Sequence, residues 1–215
     1  VEMVIVCLTM VANFYRQLIV LHEKANKLEE SAIKSQYIAL QNQLNPHFLF
    51  NNLNTLISEI EYNPKNAVVF TQRLSDVYRY ILQSQHEGQV TLRSELTFLK
   101  SFIFLHQVRL GDCIHVDNRI DSSLLEKKIP SFTLQLLTEN VIKHNTINSD
   151  NPMTIYLSTS DDKKKLVVSN EIRLKQKSGT GLKNLSTRCK LVSDQDISIE
   201  NDSKCFTVKI PLLNE

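Results

Sequence analysis

The stretch Gln41–Leu56, QNQLNPHFLFNNLNTL, sets a proline beside a histidine inside what otherwise reads as one long helix. A proline in a helix interior removes the hydrogen bond to the carbonyl four residues back and clashes with it, at about 3 kcal/mol, whereas at the first helical position its missing N–H costs little. Asn45 is a good N-cap, so Asn45-Pro46 restarts or kinks the helix and sets His47 in its first turn. Wound at about 100° per residue, the helix gathers Leu49, Leu53, Leu56, Ile57 and Ile60 on one stripe. His47 falls on the opposite side, near Phe50, Asn51 and Asn54.

A histidine facing away from an apolar stripe is a poor core residue, and one placed by a costly proline is a poor idle one. A satisfied core histidine and an idle surface one both stay open as alternatives. An imidazole is largely neutral at cellular pH and keeps a lone pair on one ring nitrogen, which makes it a competent nucleophile. Asn42, Asn51 or Asn54 can hold the other nitrogen or meet incoming phosphate oxygens without adding charge. Such a nucleophile requires a phosphate donor.

Length and composition bound the rest of the molecule. The 215 residues, 42% of them hydrophobic, suffice for one ordinary domain with a helical extension or for two small domains. Lysine plus arginine (25) barely exceed aspartate plus glutamate (23), and no long block of like charge occurs, so a nucleic-acid partner is not expected. Cys7, Cys113, Cys189 and Cys205 lie far apart and show no CxxC or Cys/His spacing. Neither a disulfide framework nor a zinc site is indicated, and a reducing cytosol fits best.

The opening segment VEMVIVCLTMVANFY is apolar apart from Glu2 and Asn13, shorter than the roughly 20 residues a bilayer span needs. It reads as the cytoplasmic end of a transmembrane helix, with Arg16, His22, Lys24 and Lys27 on the inner face of the membrane; a buried or dimer-packed helix start is the alternative. From there Leu18, Leu21, Ala25, Leu28, Ala32, Ser35 and Ala39 keep a 3-4-3-4 spacing. Such a seam pairs a helix with a copy of itself, and its small and polar members make it a weak coiled coil of the kind found in signalling linkers.

In the C-terminal half, IPSFTLQLLTENVIKHN ends in a helix whose wheel puts Leu134, Leu137, Thr138, Val141 and Ile142 on one face and Glu139, Asn140 and Lys143 on the other. Glu139 and Lys143 alone would be an ordinary i,i+4 pair. Asn140 adds a neutral oxygen of the kind magnesium accepts, since that hard cation prefers oxygen ligands and keeps several waters. Further on, SGTGLKNLSTRCKLV sets Gly179 and Gly181 directly before a helix carrying Lys183 and Arg188. In a chain with four glycines, two in one tripeptide mark a close backbone approach, and the amides of a helix start attract phosphate. A loop that merely turns is the competing reading.

Taken together, QLNPHFLFNNLN resembles the phosphoacceptor box of the LytS/YehU-type sensor histidine kinases, whose signature is a histidine inside NPHFLFN. LSDVYRYIL at 74–82, TLRSELTFLKSFIFLHQVR at 91–109, IPSFTLQLLTENVIKH at 129–144, GTGLKNLSTRC at 179–189 and the closing FTVKIPL resemble the same family in the same order, so the likeness covers roughly 35–213. The resemblance implies an α+β chain. The end of a transmembrane helix and a helical signalling linker occupy 1–34, helices for dimerisation and histidine phosphotransfer 35–111, and an ATP-binding domain of GHKL type 112–215. That domain would be an α/β sandwich with a mixed sheet of about five strands and about three helices. The residues agree: segments near 114–120, 154–159, 165–170, 196–200 and 205–210 read as strands, with helices near 131–144 and 181–192. NSDNP, SDDK and NDSK mark turns between them.

Carried over, the resemblance makes His47 the acceptor of the γ-phosphoryl group of ATP and Asn140 a ligand of Mg2+. Lys143 and His144 would contact phosphates, Glu139 would orient or deprotonate the imidazole, and Gly179 with Gly181 would form the turn beside the nucleotide. The implied partners are a second copy of the chain, a response regulator of LytTR type whose aspartate receives the phosphoryl group, and the inner membrane. One departure stands out: where the family carries an Asp-x-Gly-x-Gly box, this chain reads VVSNEIRLKQ, with Asn170 at the aligned acceptor and Ile172 at the first glycine. A neutral acceptor for the adenine amino group costs on the order of 1 kcal/mol, and the short stretch 171–178 implies a curtailed lid. Two classes therefore stay open, an active kinase and a signalling module with a degenerate ATP site acting as phosphatase, scaffold or phosphate receiver.

Overall fold

The computed structural model describes residues 24, 46–84, 87–172, 180–193, 195–202 and 204–213. The apolar opening segment, the seam from Leu18 to Ala39, and Asn42, Asn45, Arg173 and Gly179 lie outside the described residues. The chain divides into two compact units, Val1–Phe50 and Asn51–Glu215. Of the first, the described part is residue 24 and the opening of helix α1, Pro46–Tyr62. The helix begins at the proline, as expected of a residue that tolerates only the first turn.

The second unit repeats that device in full view. Asn63 follows α1, and helix α2 runs from Pro64 to Ser84. The Asn66 amide donates to Asn63 Oδ1 at 3.2 Å, so an asparagine cap and a first-turn proline together start the helix. Along α2, Ala67, Phe70, Leu74, Val77, Ile81 and Ser84 are buried at 3-4-3-4-3 spacing, and this stripe packs on helix α3, Leu92–Leu110.

Helix α3 is buried on two sides. Leu92, Leu96, Leu99 and Ile103 join the main core, while Phe98 stacks near Phe102 and meets Tyr80 of α2, with ring centroids 5.4 and 4.5 Å apart. Thr91 caps its start by accepting from the Ser94 amide at 3.2 Å. Gly111 ends it at φ 74°, a left-handed conformation that favours glycine.

The sheet contains β2 (Ile114–Asn118), β4 (Met153–Thr159), β5 (Lys165–Glu171), β6 (Ser198–Asn201) and β7 (Cys205–Pro211), in the order β2-β4-β5-β7-β6. β2 and β4 are parallel and the other pairs antiparallel. Its strands fall within a few residues of the segments read from the sequence. A second, smaller antiparallel sheet pairs β1 (Gln89–Thr91) with β3 (Lys128–Pro130). Alternate residues Ile155, Leu157, Leu166, Val168, Val208 and Ile210 point into one core. Helices α4 (Thr133–His144) and α5 (Thr180–Ser193) cover it with Leu134, Leu137, Val141, Leu182, Leu185 and Cys189. The result is the α+β architecture with a mixed five-stranded sheet that the sequence implied.

Candidate functional site

Helix α4 divides as its periodicity dictates. Leu134, Leu137, Thr138 and Val141 are buried and Ile142 packs against them, while Glu139 and Asn140 are half-buried and Lys143 is exposed. The direct bond to Glu139 comes from Gln135, whose Nε2 donates to Oε1 at 2.9 Å. Burial pushes the Glu139 carboxyl above its ordinary range, and the Gln135 bond and the Lys143 charge pull it partly back. A carboxylate so placed is a stronger base than an exposed one. His144, half-buried, is the last residue of α4, and Asn145 Nδ2 donates back to the Val141 carbonyl at 2.9 Å.

The start of α4 is unusual. Phe132, its N-cap residue, sits at φ 63° in the left-handed region and provides no side-chain cap. The acceptor comes instead from α3: Glu95 takes hydrogen bonds from the Phe132 amide at 2.6 Å on Oε1 and from the Leu134 amide at 2.8 Å on Oε2. Tyr80 of α2 donates its hydroxyl to the same Oε1. Glu95 is fully buried, and burial raises its carboxyl while these donors oppose the rise. It lies inside TLRSELTFLK, yet nothing local marks it as a cap. The available signal was an acid among buried leucines and phenylalanines with no base four residues away.

Asn170, second to last in β5, is buried, paired across the sheet with Ile155 and Phe206. Its Nδ2 donates to the Glu171 carbonyl at 2.7 Å, which fixes the facing of the amide. Gly181 lies in the first turn of α5, which packs on α4. Arg188 of α5 donates to the Ser131 carbonyl, just before α4, at 3.4 Å. Two further arginines have structural neighbours: Arg79 lies 3.6 Å from Asp76, and Arg109 Nη2 donates to His106 Nδ1 at 3.1 Å.

His47 is exposed, the second residue of α1. Of the neighbouring asparagines Asn51 is half-buried and Asn54 exposed, while the helix buries Asn52. Among the described residues no group of three or more His, Cys, Asp or Glu side chains could hold a metal ion. The α4 face instead offers one amide oxygen and one carboxylate, oxygen donors that fit a magnesium ion keeping its waters, and beside them one ammonium that fits the phosphates carried with it.

Residues 35–114, which include His47 and helices α1 to α3, match the family model described as Histidine kinase. That match covers 80 of the chain's 215 residues. Sensor proteins are among the chain's relatives: "Sensor histidine kinase YpdA" of Escherichia coli (strain K12) is 39% identical over 121 residues, 56% of this chain and 21% of that protein. "Sensor protein LytS" of Staphylococcus haemolyticus (strain JCSC1435) is 37% identical over 117 residues, 54% of this chain and 19% of the relative. "Sensor histidine kinase/phosphatase LytS" of Staphylococcus aureus (strain Mu50 / ATCC 700699) is 27% identical over 214 residues, covering 89% of this chain and 36% of its own length. The chain thus spans between about a fifth and about a third of the length of these proteins.

Proposed function

We propose that the chain is the catalytic portion of a two-component sensor kinase: His47 accepts the γ-phosphoryl group of ATP and passes it to an aspartate of a response regulator. The observation that carries this reading is the exposure of His47 in the opening turn of α1, inside the segment that matches the family. In the division that follows, 1–34 links to a membrane-anchored sensor at the inner membrane, 35–111 dimerises and accepts phosphate, and 112–215 binds ATP.

In the transfer, a ring nitrogen of His47 forms a bond to the γ-phosphorus as the bond from that phosphorus to the β,γ-bridging oxygen breaks, and ADP leaves. Phosphoryl transfer asks mainly for positioning and charge stabilisation. Asn140 would hold Mg2+, which when bound neutralises phosphate charge. Lys143 and His144 would contact phosphate oxygens, Gly179 and Gly181 would bring backbone close to them, and Asn170 would accept from the adenine amino group. Glu139, its carboxyl pushed up by burial, would orient the imidazole and take the proton that the phosphorylated ring releases. A homodimer is supported by α1: its stripe leaves Leu53, Ile57 and Ile60 exposed at 39%, 58% and 56%, which a second copy would cover. The regulator expected is of LytTR type.

The test is incubation of the purified protein with magnesium and γ-labelled ATP, scoring acid-labile, base-stable label beside His47→Gln and Asn140→Ala. Label in the parent that vanishes with His47→Gln and falls about a hundredfold or more with Asn140→Ala is expected. A folded parent that takes no label at millimolar ATP would overturn the kinase and leave the module with a degenerate ATP site.

A further inference from the structure

The first amides of a helix have no partner within it and need an acceptor from outside. At α4 the local candidates are engaged as donors: Ser131 Oγ donates to the Glu87 carbonyl at 2.8 Å, and Thr133 Oγ1 to the Pro130 carbonyl at 2.6 Å. Phe132 has only a ring to offer. The acceptor is therefore supplied by Glu95, from 37 and 39 residues earlier in the chain.

A fully buried carboxylate is costly unless its oxygens are satisfied. Glu95 meets that condition only with α2 and the start of α4 both in place, since its donors are Tyr80, Phe132 and Leu134. The Tyr80 ring also meets the edge of Phe132, with centroids 5.7 Å apart. Around this junction the connection between α2 and α3 is laced to the approach of α4. β1 pairs with β3, and the Ser131 amide donates to the Gly88 carbonyl at 3.3 Å.

We propose that Glu95 is a positioning residue for phosphoryl transfer: its buried carboxylate seats the first turn of α4 and ties it to Tyr80, so the α2–α3 pair sets the placement of Glu139, Asn140 and Lys143. The inference rests on the kinase reading of that face. Asn140 is six residues beyond Leu134, about 9 Å along the helix axis, near enough for a shifted first turn to displace it. Leu134, Leu137 and Val141 hold α4 on the core independently of the cap, so losing the seat moves the helix without releasing it. A displacement near 1 Å at a reacting group can cost about a hundredfold.

The experiment compares the parent, Glu95→Gln and Tyr80→Phe, at a temperature where urea titration shows each fully folded. It reads the KM for Mg-ATP in self-labelling, the label at saturating nucleotide, and amide exchange along α4. Glu95→Gln places an amide NH2 against N–H donors, and is expected to raise KM about tenfold. Tyr80→Phe keeps the backbone bonds and is expected to raise it about threefold. Both should speed exchange from Phe132 to Asn140 while β4 and β5 stay protected. A structural role alone lowers the urea midpoint and leaves KM and the saturating label at the parent's values, and that result overturns the proposal. If Glu95→Gln does not fold, an unchanged KM in Tyr80→Phe overturns it. If the parent binds no nucleotide and takes no label, the kinase reading falls, and exchange still decides whether Glu95 seats α4: selective acceleration retains the seat, uniform or absent acceleration removes it.

Discussion

Helices α1 and α4 carry the two halves of the proposed chemistry and read alike in sequence, an apolar stripe opposite a polar face. Their surroundings differ. α4 buries Leu134, Leu137 and Val141 to 1–5% exposure in the core of the α+β body, whereas the corresponding stripe of α1 leaves Ile57 and Ile60 more than half exposed. Periodicity therefore locates the apolar face of a helix but not what covers it. For α4 the cover is the sheet of the same chain, and for α1 the proposal is a second copy. The polar faces differ in kind as well. Glu139 is half-buried with its carboxyl pushed up, suited to moving a proton, while His47 is exposed, suited to meeting a donor and then a regulator.

The largest effect that sharpens this contrast comes from paired truncations. Leu137→Ala should cost about 3 kcal/mol in urea unfolding, the ordinary range for an emptied core site. Ile57→Ala, measured dilute enough to be monomeric, should cost less than about 0.5 kcal/mol and yet weaken self-association by sedimentation. Equal destabilisation of the dilute chain by both would break the comparison, because α1 would then be covered by its own chain.

Next in size is an effect of acid on the body that holds α4. His106 of α3 is buried, edge-on to Phe102 at 4.7 Å, and accepts from Arg109, so its proton belongs on Nε2. Burial first, and the Arg109 charge second, lower its pKa from 6.5 to about 4. Between those values the unfolded chain takes a proton that the folded one refuses, so stability falls as pH falls through this window and is unaffected above it. From pH 7 to 5 the loss assigned to His106 is about 2 kcal/mol. Glu95 acts in the opposite sense, since a raised carboxyl pKa favours the folded state as acid protonates it. Comparison with His106→Gln isolates the histidine: the substituted chain should lose about 2 kcal/mol less over the same interval, and parallel pH curves would remove the assignment.

The same contrast shows what could be read before the fold was known. The five main strands lay between turn signals and alternated in polarity, and the α4 wheel separated its faces correctly, because each is a property of consecutive residues. The β1–β3 sheet has strands of three residues, too short for any period to register. Glu95 escaped for a related reason. Its partners are backbone amides far along the chain, which no residue code announces, and an acid on a helix is ordinarily solvent-exposed. The left-handed Phe132 was equally silent, since a bulky aromatic is among the last residues expected there. Asn63-Pro64 was legible by the same reasoning as Asn45-Pro46, and the Asn63 cap shows that the cap-and-proline start operates in this chain.

The smallest predicted effect bears on the departure at Asn170. Restoring the family's acidic acceptor with Asn170→Asp exchanges a neutral acceptor for a charged one, worth on the order of 1 kcal/mol, or about fivefold tighter ATP binding. The surrounding structure opposes the change. Asn170 is 4% exposed and spends its Nδ2 on the Glu171 carbonyl, so an aspartate would turn an oxygen toward that carbonyl and bury a charge while the site is empty. Affinity and stability should therefore move in opposite directions: a lower dissociation constant for Mg-ATP by titration calorimetry, together with a lower urea midpoint without nucleotide that saturating Mg-ATP restores. If the dissociation constant stays put while the midpoint falls, Asn170 belongs to the sheet and not to the adenine site. The nucleotide-binding half of the comparison would then rest on the outer face of α4.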